Sequence, residues 1–153
     1  MIDGRIAPNF WLSELLHSET ATRLGIDNTP NIEVLANLRQ ITGPGIQRVR
    51  DLLGMPVMIS SGYRGPELNR AIGGATKSDH MRGLAVDFTV PSFGTPLVVA
   101  RRLSQYASAL RYNQLIIEFG RWVHISFTAG VPKGELLTAS RIGDTTVYSL
   151  GLA

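Results

Sequence analysis

Apolar residues recur at helical spacing from Asn31 to Leu53, at Val34, Leu35, Leu38, Ile41, Val49, Leu52 and Leu53, and predict a helix over that stretch. Gly43-Pro44-Gly45 interrupts it, predicting a kink or two shorter helices, because proline removes a backbone donor and crowds the preceding turn. Pro56 to Ser60 reads as a short strand that ends at Ser61-Gly62-Tyr63-Arg64-Gly65. Pro66 then suits the first position of a short helix through Ile72, with Gly73-Gly74 as its stop. From Gly83 to Val90 the pattern switches to a period of two, with Leu84, Val86, Phe88 and Val90 on one face and Ala85, Asp87 and Thr89 on the other. Thr95-Pro96 starts a helix over Leu97 to Leu110, where Leu103, Ala107 and Leu110 continue an apolar stripe. Leu136 to Leu150 predicts a final hairpin turning at Gly143-Asp144 in a type II′ turn.

Leu115 to Phe119 and Trp122 to Phe127 form two strands joined at Gly120-Arg121, and side-chain parity constrains how they pair. If Leu115, Ile117 and Phe119 share the core face with Val123, Ile125 and Phe127, the connection must hold an odd number of residues. A three-residue loop containing Gly120 satisfies this and is expected to set Glu118 directly across from His124 on the polar face, with Ser126 beside it. A two-residue loop would instead pair Ile117 with His124 and turn Glu118 away.

At 153 residues, 44% hydrophobic and 18% charged, the chain is expected to form one soluble domain over residues 1–153 with a core of its own. No repeat or linker divides it. Cysteine is absent, so a disulfide framework and thiolate metal ligation are excluded, and a metal must be held by His, Asp or Glu. Met1-Ile2-Asp3-Gly4-Arg5 lacks the features of a secretory signal, and no apolar run approaches membrane-spanning length. The net charge of +3 is small and its arginines are scattered, which argues against a nucleic-acid interface.

The candidate chemistry lies in Ser78-Asp79-His80-Met81-Arg82-Gly83-Leu84-Ala85-Val86-Asp87 and in Trp122-Val123-His124. Two imidazoles and a carboxylate suit zinc, and three protein ligands leave the fourth tetrahedral position open, as in catalytic rather than structural sites. A serine-hydrolase reading of Ser126 is poor, since no spare histidine lies near to serve as its base. His17 stands outside any ligand spacing. Trp122 reads as a wall or core aromatic whose indole N–H can only donate.

In these residues the chain resembles the zinc D-alanyl-D-alanine carboxypeptidase family, peptidase M15, whose relatives include D,D-dipeptidases of vancomycin resistance, bacteriophage endolysins and the Hedgehog signalling domain. The pattern Ser-x-His-x-x-Gly-x-Ala-x-Asp is met from Ser78 to Asp87, and Trp-x-His by Trp122 and His124. With Ser-Gly-Tyr-Arg at Ser61 to Arg64 the likeness runs from about Asn9 to Phe127, and is greatest to the short single-domain members of phages and prophages. It implies an α+β fold of Hedgehog/DD-peptidase type, a small central antiparallel sheet carrying the zinc site and flanked by helices. It implies one zinc ion on His80, Asp87 and His124, with Arg64 polarising the scissile carbonyl and Ser78 holding a substrate carboxylate. Tyr63 is placed with Arg64 as a substrate contact, although a helix-flanking aromatic explains it equally, as a solvated amide explains Asn69.

Several relatives carry an acidic general base three positions before the last histidine, where this chain has Arg121. Glu118 is the nearest carboxylate and is assigned the role, with Asp79 as competitor. The expected activity is zinc-dependent hydrolysis of amide bonds in peptidoglycan stem peptides, as carboxypeptidase or endolysin-type endopeptidase. The expected partner is peptidoglycan peptide, with no nucleic acid and no membrane insertion, and the expected state a monomer. The product is expected to be made in the cytoplasm and, if it comes from a phage or prophage, to act on the cell wall as a lysin or virion component, whereas a host enzyme would need another export route. The alternative is a zinc-containing phage structural or wall-binding module with little turnover, for which Arg64 and Glu118 would be superfluous.

Overall fold

The computed structural model describes residues 4–153, so the first three residues of the N-terminal segment lie outside the description. Two short strands, β1 (Arg5–Ala7) and β2 (Phe10–Trp11), precede helices α1 (Leu12–Leu16), α2 (Glu19–Leu24) and α3 (Ile32–Asn37). A π-helical turn, Leu38–Thr42, leads into α4 (Gly43–Leu53). The chain continues through β3 (Met58–Ser61), α5 (Pro66–Ala71), a 3₁₀ turn (Asp79–Arg82) and β4 (Ala85–Thr89). Then come α6 (Pro96–Ser104), α7 (Ala107–Leu110), β5 (Gln114–Glu118), β6 (Trp122–Ser126), β7 (Glu135–Ile142) and β8 (Thr145–Leu150).

The mixture of helices and sheet is the α+β architecture expected, with one difference in the sheet. Its six strands run in the order β3-β4-β6-β5-β7-β8 and are antiparallel except where β7 lies parallel to β5. The link 127–134 carries the chain past β5, so β7 pairs on the far side of the β5–β6 hairpin instead of extending a meander. The sheet's apolar face, including Val86, Phe88, Leu115, Ile117, Val123 and Ile125, is buried in one cluster with Ile46 and Val49 of α4 and Val99 and Leu103 of α6. Each such side chain contributes roughly 2 kcal/mol to stability through its burial. The opposite face carries the polar alternation of β4, β5 and β6.

Two helix expectations need adjustment. The stretch 32–53 does form two shorter α-helices, α3 and α4, but the interruption falls one turn before Gly43-Pro44-Gly45: the π turn Leu38–Thr42 widens, with the Gly43 N–H reaching the Leu38 carbonyl, and the proline ring is accommodated at the start of α4. The helix from Pro96 stops at Ser104 instead of Leu110. There the N–H groups of Gln105 and Tyr106 bond the carbonyls of Arg102 and Leu103 three residues back, tightening the turn. That shifts the phase of the stripe, and Ala107 ends exposed while Leu110 stays buried.

Candidate metal centre

Ser78 starts the ligand turn by accepting a hydrogen bond on Oγ from the His80 N–H (3.2 Å). Gly83 ends the turn at φ 70°, in the left-handed region that glycine enters without steric cost, and hands the chain to β4. The helical stretch 32–53 pins the turn from behind: Asn37 Nδ2 donates to the Arg82 carbonyl (2.9 Å) and Thr42 Oγ1 to the Gly83 carbonyl (2.6 Å). Arg64 is tied to the same turn through its backbone, its N–H donating to the His80 carbonyl (3.1 Å).

Gly62 explains the glycine of Ser61-Gly62-Tyr63-Arg64. A Cβ there would lie 2.4 Å from the Leu15 carbonyl oxygen, so only glycine lets the end of β3 press against the backbone of α1. In that position the Gly62 carbonyl accepts from His80 Nδ1 at 2.7 Å. A carbonyl cannot donate, so Nδ1 carries the proton and Nε2 presents its lone pair.

That lone pair faces Asp87 Oδ1 at 3.1 Å. Two acceptors at this distance repel unless a positive charge joins them. Asp87 and His124 are direct neighbours on β4 and β6, and His124 Nδ1 lies 2.9 Å from the same Oδ1. The ligand atoms of His80, Asp87 and His124 all lie within 4.8 Å of one another, and the three residues are 1%, 6% and 8% exposed. A buried set of two imidazoles and one carboxylate, with a tautomer that leaves Nε2 free, fits zinc.

The electrostatics agree. Burial pushes the Asp87 carboxyl up, but the attraction and hydrogen bonding of the flanking histidines outweigh it and hold the group well below the usual carboxylate range. For His124 burial acts downward, and is outweighed by the Asp87 hydrogen bond and the charges of Asp87, Glu118 and Asp79, so its pKa rises. The centre attracts positive charge.

Glu118 does not sit across from His124. The loop has three residues, 119–121, but Glu118 pairs with Trp122, and Ile116 stands opposite His124. The cause is the tight turn: the Arg121 N–H bonds the Glu118 carbonyl, which makes Glu118 the last residue of its strand. Parity is preserved, so Glu118 shares the face of His124 as a diagonal neighbour, with Oε1 3.7 Å from His124 Nδ1. The same Oε1 accepts from the Trp122 indole N–H at 2.9 Å. Trp122 is thus a positioning group that its reading as a wall aromatic missed; its place two residues before His124, on the same face, was the available signal.

A cleft of about 790 Å³ opens over this centre, lined among others by Arg64, Ser78, Glu118, Trp122 and Tyr148. Arg64 Nη2 donates to Ser78 Oγ (3.4 Å), and its buried Nε has no hydrogen-bond partner among the described residues. Burial lowers the guanidinium's pKa while Asp87, Glu118 and Tyr148 counteract, and arginine stays charged. Asp79, the competing carboxylate, is turned to Arg82 at 3.2 Å. Tyr63 is not brought to this cleft. It alternates away from its neighbours, is buried in the core and lines an adjoining recess with Arg64. Asn69 is buried beneath the cleft, where Nδ2 donates to the Ala75 carbonyl (2.9 Å). His17 is exposed, and Ser126 is fully buried.

The sequence model of the Peptidase M15 family matches residues 8–126, which hold all three ligands, Arg64, Ser78 and Glu118. The chain belongs to the Peptidase M15 family. No curated protein matches it. Membership in M15 makes the chain a zinc metallopeptidase by family, in accord with the donor set derived above. The M15 match ends with β6, so the cleft residues of β7 and β8 lie beyond it, and no expectation from the sequence had placed them at the site. Among the described residues, no helix is long and apolar enough to cross a membrane.

Proposed function

We propose that this M15 protein hydrolyses amide bonds in the stem peptides of peptidoglycan, as a D-Ala-D-Ala carboxypeptidase or an endolysin-type endopeptidase acting at the cell wall, on a Hedgehog/DD-peptidase-like fold. The observation that carries the reading is the Glu118 carboxylate, held by the Trp122 indole 3.7 Å from a ligand histidine in the cleft that Arg64 also lines. A zinc ion serving structure alone has no use for either group.

His80, Asp87 and His124 would hold the zinc ion, which would supply Lewis acidity to the carbonyl and acidify water at neutral pH. Glu118 Oε2, the oxygen not engaged by Trp122, takes the proton of the attacking water and passes it to the leaving amine. Arg64, permanently charged and partly desolvated, stabilises the oxygen on which negative charge develops. Ser78, already bonded to Arg64, offers its hydroxyl hydrogen to a substrate oxygen. His80, oriented by Gly62, and His124 stay fixed throughout.

The experiment is mass spectrometry of purified peptidoglycan after digestion, with and without a chelator, by wild type and Glu118→Ala. Wild type is expected to release peptide fragments only when zinc-replete. Glu118→Ala should retain zinc and lose roughly two or more decades of rate. Zinc-loaded wild type that releases nothing overturns the hydrolytic reading in favour of a wall-binding module.

A further inference from the structure

The strand register places β7 and β8 in direct continuity with the metal centre. One row across the sheet runs Asp87, His124, Ile116, Leu137, Leu150; the next runs Trp122, Glu118, Ala139, Tyr148. All of these side chains share one face, and Glu118 and Tyr148 stand two strands apart, about 10 Å between backbones. The residue between them is an alanine, 1% exposed, so only a methyl group separates the tyrosine from the glutamate. Tyr148 lines the cleft with Glu118 and Arg64. Burial raises the phenol's pKa, the carboxylates of Glu118 and Asp87 raise it further and Arg64 offsets them, so the hydroxyl remains a donor in the field of the site.

Arg141 is the next residue on this face of β7, opposite Thr146, and it also lines the cleft. The acids of the cleft are engaged: Asp87 with the histidines, Glu118 with Trp122, Asp79 with Arg82. The cations Arg141 and Lys77 have no carboxylate partner among the described residues. What the cleft leaves unpaired is positive charge.

We propose that the β7–β8 hairpin is the substrate-selecting wall of the cleft, where Arg141 pairs with a free carboxylate on the bound peptide and Tyr148 donates a hydrogen bond to a carbonyl of the same peptide. This rests on the peptidase reading, and it makes Arg141 and Tyr148, which lie beyond the stretch matched by the family, the residues that select a peptide with a carboxylate within reach of β7. A guanidinium suits that group because it can meet both oxygens at once.

The test uses two synthetic stem-type peptides that differ only in one carboxylate replaced by a carboxamide. Their binding to zinc-loaded Glu118→Ala protein is measured by calorimetry, so that turnover does not intervene. The acid is expected to bind roughly fivefold to tenfold tighter than the amide, Arg141→Glu to invert that preference, and Tyr148→Phe to weaken both peptides severalfold. Because the preference is a ratio, loss of active protein cannot imitate its inversion. A preference unchanged by Arg141→Glu overturns the proposal. Wild type that shows the preference and yet cleaves neither peptide leaves the wall standing and removes the peptidase reading instead.

Discussion

His80 is held by its surroundings in the form a metal requires. Its Nδ1–H is committed to the Gly62 carbonyl, and the lone pair of Nε2 meets a carboxylate oxygen at 3.1 Å, a pairing that a metal cation completes. Without metal, the other two ligands make the centre answer to pH. The His124 pKa lies above its ordinary 6.5, so its contribution to stability is complete below pH 6.5 and is lost as pH rises through the raised value. Asp87 lies below its ordinary 3.8, so its contribution is complete above that pH and is lost on acidification. Chelator-treated protein should therefore be most stable between about pH 4 and 6.5, with a urea midpoint that declines toward pH 9. Zinc-loaded protein should not show the alkaline decline, because metal replaces the proton; parallel curves for the two forms would count against this centre. Trp122→Phe removes the hydrogen bond to Glu118 and keeps an aromatic ring. It should leave zinc content unchanged and lower kcat about tenfold or more, read by steady-state kinetics beside a zinc assay. The ligand set was legible in the sequence because each donor announces its own chemistry. The Trp122–Glu118 bond was not, because it depends on where the turn ends the strand; parity gives the face and leaves an offset of two residues open.

At the scale of elements, strands were read more faithfully than helices. Alternation in β4 predicts which side chains reach the core, and Val86 and Phe88 are fully buried as that pattern requires. Helical periodicity says less about where a helix loosens or tightens, since a π turn at Leu38–Thr42 and a tightened turn at Gln105 change phase without changing composition. The contact of β3 with α1 turns on one missing side chain. Gly62→Ala puts a methyl group into the Leu15 backbone, which cannot rotate aside, and should destabilise the protein by about 2 kcal/mol or more. Because Gly62 also orients His80, the variant should lose zinc affinity in proportion. Thermal unfolding with and without zinc measures both effects, and an unchanged Tm would show that α1 and β3 can slide apart.

Across the whole molecule, two ligands come from the neighbouring strands β4 and β6 and the third from the turn before β4, and the cleft needs strands on both sides of β5. The β5–β6 pairing joins neighbours in sequence, as does β7–β8, whereas β5 meets β7 by pairing Gln114 with Glu135 and Glu118 with Ala139, 21 residues apart. The link 127–134 carries the chain to that seam, and the sequence pattern gave no sign of it because parallel and antiparallel neighbours leave the same alternation on each strand. During refolding each hairpin can close on itself in microseconds, while the joint between them must wait for a larger loop to be gathered. Pulse-labelled hydrogen exchange should accordingly find the Phe119 and Glu135 amides, which bridge the seam to the carbonyls of Ala139 and Asn113, protected after the amides within either hairpin. The metal triad waits longer still, since Asp87 and His124 meet only when β4 closes on β6 across 37 residues, so ion capture would report that the most distant strands have joined.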